Sequence, residues 1–232
     1  MKKVVMLFVA GILASSLALG SNLGISSGPP GNGKSKPSPS PKGGVIDLTF
    51  EGICDQCPIG NFYGSKGIYF SSNSLGLIED EAGGSGNFAN EPSPVTIAFF
   101  LNGTGDIMNI PAGFTTGFSF FYTSNFYAGS VTVWSGPSAT GTLLASLALP
   151  VNNYSGEPCQ QTQDDIYCNW SDVGVAFNGV AESVNFGGAA NYIGFDNVTL
   201  GSSVASPEPG SLMLLGSGLL GLGGMIRRRL AK

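Results

Sequence analysis

Between residues 45 and 200 apolar positions alternate with polar ones over short stretches, and glycine, proline, serine and asparagine interrupt the pattern every few residues. The run Val45-Ile46-Asp47-Leu48-Thr49-Phe50-Glu51 sets the type. Successive side chains of an extended chain point to opposite faces, so Ile46, Leu48 and Phe50 share one side of a sheet. The same reasoning predicts strands over 67–71, 95–101, 117–122, 130–134, 143–149, 173–177, 183–186 and 192–200. Gly136-Pro137 and Thr140-Gly141-Thr142 are read as turns between strands. No stretch shows a sustained helical period, and the apolar runs are too short to cover a parallel sheet with helices. The fold class expected is all-β, a two-sheet antiparallel β-sandwich of about nine short strands.

Both ends of the chain depart from this pattern. Met1-Lys2-Lys3 precedes the apolar stretch Val4 to Leu19 and the small residues around Gly20, the layout of a signal peptide over residues 1–20. An uncleaved membrane anchor is the alternative. Residues 21–44 are rich in proline, serine and glycine and are expected to form a linker. A sandwich domain over 45–201 follows. In 202–232, Pro207-Glu208-Pro209 leads into the apolar, glycine-rich Gly210 to Ile226, closed by Arg227-Arg228-Arg229. That apolar length is marginal for a transmembrane helix, and the arginines place its end on the cytoplasmic side.

Charge sharpens the division. The chain carries 10 basic and 15 acidic residues, yet within 45–200 Lys66 is the sole cation against 14 acids, a net charge of −13. Such a surface repels nucleic acid and attracts divalent cations. The chain has no histidine, which removes the commonest general base and the Ser-His triad.

The ordered series Pro207-Glu208-Pro209, apolar helix and Arg227-Arg228-Arg229 resembles the PEP-CTERM sorting signal. That resemblance implies recognition by an exosortase, a membrane protease-transpeptidase of exopolysaccharide-making bacteria. The chain would cross the inner membrane, be held there by its C-terminal helix before sorting, and end at the cell surface or in an extracellular, biofilm-type matrix. A second resemblance covers the domain. Phe50-Glu51-Gly52, Tyr63, Gly67-Ile68-Tyr69-Phe70, Val131-Thr132-Val133-Trp134-Ser135-Gly136 and Ile193-Gly194-Phe195-Asp196-Asn197-Val198-Thr199-Leu200 are similar to PEP-CTERM cargo domains built as carbohydrate-binding jelly rolls. It implies that the first and last strands lie together and share a structural calcium, with Glu51 and Asp196 as ligands and carbonyls near Gly67 and waters completing the shell. Asp47 is a weaker candidate; ordinary surface acids are the other reading of Glu51 and Asp196.

Four cysteines in an exported chain are expected to be oxidised, and three pairings are possible. Cys54–Cys57 as a tight local bridge with Cys159–Cys168 closing a polar loop is the pairing preferred over a redox pair or a zinc site. The loop 157–170 combines carboxylates, amides and aromatics, the chemistry of a sugar site. Asp164, Asp165, Tyr167 and Trp170 are its candidate ligand-binding residues, unless Tyr167 and Trp170 pack inward; Trp134 is expected in the core. No spacing selects a catalytic carboxylate pair. The function expected is a non-enzymatic surface or matrix protein binding exopolysaccharide with calcium support. A glycan-active hydrolase and a purely structural matrix protein are the alternatives.

Overall fold

Among the described residues alternation turns into nine strands: β1 (Ile46–Leu48), β2 (Tyr69–Phe70), β3 (Ser74–Ile78), β4 (Thr96–Phe100), β5 (Gly105–Thr123), β6 (Gly129–Gly136), β7 (Thr140–Leu149), β8 (Ser171–Gly187) and β9 (Gly194–Leu200). The computed structural model describes residues 43–152 and 166–205. The expected signal peptide, all but the end of the expected linker, Cys159, Asp164, Asp165 and the motif from Pro207 to Arg229 lie outside the described residues.

All pairings between these strands are antiparallel, in the order β3-β4-β9-β5-β8-β6-β7, with β1 added to β9 and β2 to β5. The long strands β5 and β8 serve two layers. The first part of β5 (105–109) pairs with β2 and with the last part of β8 (183–187), which also pairs with β6. The later part of β5 (117–123) pairs with β9 and with the start of β8. Register breaks between Asn109, Phe114 and Thr116 mark the bend, where strands commonly change sheets. The layers meet face to face: Phe186 from one packs on Phe118, Phe120 and Phe195 from the other, at centroid distances of 5.8, 5.8 and 4.9 Å. The result is the expected antiparallel, jelly-roll-like β-sandwich.

Every residue of β4 and β9 is buried, because the outer face of their layer is covered too. Phe88, Ile97 and Tyr167 form a small second core there, with Leu77 and Trp170 against it.

Three details differ from the sequence reading. β3 was not among the predicted strands; it carries Gly76 mid-strand, where a Cβ would come within 2.6 Å of Ile53 Cγ2, so the glycine permits close packing. Thr140-Gly141-Thr142 opens β7 instead of forming a turn. Trp134 is half-buried rather than in the core: Val131 and Val133 take the inward positions of β6, so Trp134 faces outward, its Nε1 donating to Thr132 Oγ1 at 2.9 Å.

Candidate functional site

The first candidate site lies where β1 ends beside β9. Leu48 pairs with Val198, which carries Phe50 and Glu51 towards Asp196. Asp196 is fully buried. Its Oδ1 accepts from Ser93 Oγ (2.6 Å) and the Asn197 amide (2.7 Å), and its Oδ2 from the Ser93 amide (2.7 Å). Burial pushes its pKa up to about 8; the Ser93 and Asn197 bonds oppose that rise, and the charge of Glu51 adds to it. Glu51 is half-buried and accepts the Thr96 amide at 3.0 Å. The structure therefore brings together the two carboxylates expected to share an ion. Asp47 points elsewhere, accepting from Thr199 Oγ1 at 2.8 Å. Gly67 closes the 3-10 turn Gly64–Lys66, while Tyr63, just ahead of that turn, reaches the carboxylates. The Tyr63 hydroxyl accepts the Phe50 amide at 2.7 Å, and burial, with Asp196 and Glu51 nearby, raises its pKa.

The backbone around this pair is strained. Phe50, Val95 and Asn197 have φ of 63°, 69° and 46°, a region that costs a non-glycine residue about 1–3 kcal/mol and tends to persist at functional positions. The Asn197 side chain is buried, and neither its Oδ1 nor its Nδ2 has a hydrogen-bond partner. The oxygens shown at the pair are hard ones: the two carboxylates and the Thr49 carbonyl, which already accepts Ser93 Oγ at 3.1 Å. That chemistry suits calcium better than zinc. Among the described residues no three His, Cys, Asp or Glu side chains gather, so carbonyls, amides or waters would supply most of a shell.

The turn after Glu51 is closed by the Cys54–Cys57 disulfide. It is pinned to β3 by Gly76 N donating to Cys57 O (2.9 Å) and Ile78 N to Asp55 Oδ1 (3.0 Å). Cys168 is also disulfide-bonded; Cys159, its expected partner, lies outside the described residues. Cys54–Cys57 closes so short a loop that replacing both residues by serine should lower stability by only ~2 kcal/mol, read as a shift in urea midpoint.

A second candidate site sits where the β5–β6, β8–β9 and 87–88 connections meet Tyr167. Phe126 and Tyr127 are 55% and 52% exposed and Tyr192 is 39% exposed. They form one edge-to-face group: Tyr127–Tyr192 at 4.9 Å, Phe126–Tyr192 at 5.9 Å and Phe126–Tyr167 at 6.1 Å. Beside them is a recess of about 40 Å³ lined by Asn87, Phe88, Thr123, Tyr167, Asn191 and Tyr192 among others. Thr123 Oγ1 is buried there without a partner. The rim is held from beneath. Ser124 Oγ lies 2.6 Å from the Tyr127 carbonyl oxygen and 3.1 Å from that of Tyr192. Asn152 accepts the Ser124 amide (2.6 Å) and donates to the carbonyls of Tyr122 and Asn169 (both 3.0 Å).

Of the sugar-site residues expected from the loop 157–170, Tyr167 is buried in the second core and Trp170 packs edge-on against Phe88 at 6.3 Å, its Nε1 donating to Ala89 O at 3.0 Å. Tyr167 thus packs inward, the alternative given for it, and Trp170 is half-buried; Asp164 and Asp165 lie outside the described residues. Phe126, Tyr127 and Tyr192 were not singled out by sequence. The cluster Ser124-Asn125-Phe126-Tyr127 between two strands was the available signal, since paired aromatics in a turn have no core to fill.

Residues 207–229 match the PEP-CTERM protein-sorting motif. No curated protein matches the chain. Among solved structures, the chain is similar to the C-terminal CBM6 of LamC, a marine laminarinase from Zobellia galactanivorans (12% identity, 68% of this chain and 98% of that one, TM-score 0.35). It is similar to the K1 cleaved adhesin domain of Lys-gingipain from Porphyromonas gingivalis (13% identity, 68% and 98%, TM-score 0.37). A β-1,3-glucan-binding CBM6 from Bacillus halodurans is a third likeness (17% identity, 68% and 95%, TM-score 0.34). At these scores the likenesses assign no residue or ligand to this chain.

Proposed function

We propose that the chain is an exported, non-enzymatic surface or matrix protein whose sandwich binds polysaccharide through the aromatic rim Phe126, Tyr127 and Tyr192. An exosortase acting on the Pro207-to-Arg229 signal would deliver it. The observation that carries the reading is the rim itself: three exposed rings, mutually braced and stapled by Ser124, beside the amides of Asn87 and Asn191. Rings of this kind stack on the apolar faces of pyranoses, amides bond hydroxyls, and a braced rim loses little entropy on binding. Calcium held by Glu51 and Asp196 would be structural, neutralising a buried carboxylate and tying the first strand to the last. A glycosidase would need two carboxylates across an open cleft, and among the described residues lining the recess there is no acid.

The test is affinity electrophoresis in gels containing the producing organism's exopolysaccharide. Retardation of the wild type is expected, with Tyr192→Ala weakening it about tenfold, as loss of an aromatic anchor does. Equal mobility of both proteins with and without the polysaccharide would count against the rim.

A further inference from the structure

Asp106 and Glu157 bracket fifty consecutive residues with no Asp, Glu, Lys or Arg, in a domain whose 14 acids all lie outside that stretch. The fold gathers much of it into β6, β7 and the 3-10 turn Pro137–Ala139, at one end of the strand order. β7 pairs with β6 from Gly129↔Leu149 to Gly136↔Thr140, and among the described residues no strand lies on its other side. Its register breaks fall near its start, whereas Ala145 to Leu149 pair without interruption.

An open strand edge is a template for another strand, and natural sheets usually protect it with charge or proline. β7 has neither over its ten residues. It also exposes Leu143 (47%), Ser146 and Ala148. Two copies with a domain charge of −13 repel each other in most approaches. Meeting along the uncharged edge is the approach in which that repulsion is weakest. The strand is also complementary to itself. In an antiparallel pair centred on Ser146, Ala145 faces Leu147 on either side of the axis, and the match ends at the register break between Leu143 and Ala145, so small and aliphatic side chains meet around the axis.

We infer that β7 is a homotypic docking edge: a second copy of this chain adds its own β7 antiparallel about a two-fold axis near Ser146, extending one sheet layer across two molecules. This stands independently of polysaccharide binding. Because residual acid repulsion opposes it, association should strengthen with salt.

The experiment is sedimentation velocity of the full chain in nonionic detergent over a concentration series. The wild type is expected to show a monomer–dimer equilibrium. Ser146→Lys, which sets two ammonium groups opposite each other at the axis, should raise the dissociation constant at least tenfold, and Ala148→Lys should do the same. Thermal unfolding checks that each variant is folded. Mixing Ser146→Lys with Ser146→Glu should restore a dimer that neither forms alone, an outcome that misfolding cannot produce. A wild type that stays monomeric to about 0.1 mM, or a dimer undiminished in the folded lysine variants, overturns the inference.

Discussion

Phe186→Ala is expected to lower stability by ~3–5 kcal/mol, the range for deleting a fully buried aromatic side chain from a core that cannot collapse around the gap. Phe186 is 2% exposed and meets Phe118, Phe120 and Phe195 from the opposing layer. Those rings also touch one another, Phe118–Phe120 at 5.4 Å and Phe120–Phe195 at 5.8 Å, so their positions are mutually fixed and relaxation into the cavity is small. Urea unfolding would show the loss as a lower midpoint at unchanged slope. Phe126→Ala, which removes an exposed ring, should stay within about 0.5 kcal/mol. If Phe186→Ala proved equally mild, the two layers could not pack face to face through these rings.

The second large effect is a stability that falls as pH rises. Asp196 has a folded pKa near 8 against an ordinary 3.8, so the folded chain holds a proton that the unfolded chain has released. Its contribution is complete below about pH 4 and is lost as pH climbs towards 8. Asp106 is buried beneath β3, accepting from Ser71 Oγ at 2.8 Å and from Ser74 Oγ, and burial pushes its pKa to about 6. It adds to the same trend between about pH 4 and 6. Each group contributes a slope approaching ~1.4 kcal/mol per pH unit within its window. Urea unfolding in chelator should therefore show stability declining from pH 5 to 8, and Asp196→Asn should remove the part of the decline above pH 6. A bound cation favours the ionised carboxylate, so calcium at pH 8 should restore stability to the wild type and leave Asp196→Asn unmoved. An Asp196→Asn profile superimposable on the wild type would remove that carboxylate from both effects.

The sandwich was legible because strand alternation is a local property: Ile46 and Leu48, or Val131 and Val133, declare their face without knowledge of partners. What escaped depended on distant neighbours. β3 was not among the predicted strands, and its Gly76 is explained only by Ile53 pressed against it. The strand predicted over 117–122 is the end of the much longer β5, in which Pro111 and Gly113 form a bend, with Gly113 at φ 73°. Trp134 looks like core because tryptophan usually is, yet the alternation fixed by its valine neighbours turns it outward. At the carboxylate site, pairing of the first and last strands brought Glu51 and Asp196 together as the resemblance implied. Ser93, which completes the surroundings, sits in a segment whose packing no local pattern announces, and Asn197, inside the predicted last strand, takes a φ of 46° that alternation does not show. The aromatic rim is the same case. Tyr192 and Tyr127 lie 65 residues apart in the chain, and only folding makes them one surface.

The measurement we would make on the rim is a chemical-shift titration of the aromatic ring signals of the folded domain with the host exopolysaccharide. Saturable shifts confined to Phe126, Tyr127, Tyr192 and the adjoining Tyr167 are the expected result. Shifts that arise elsewhere while those rings stay fixed would contradict the assignment of polysaccharide binding to this end of the sandwich.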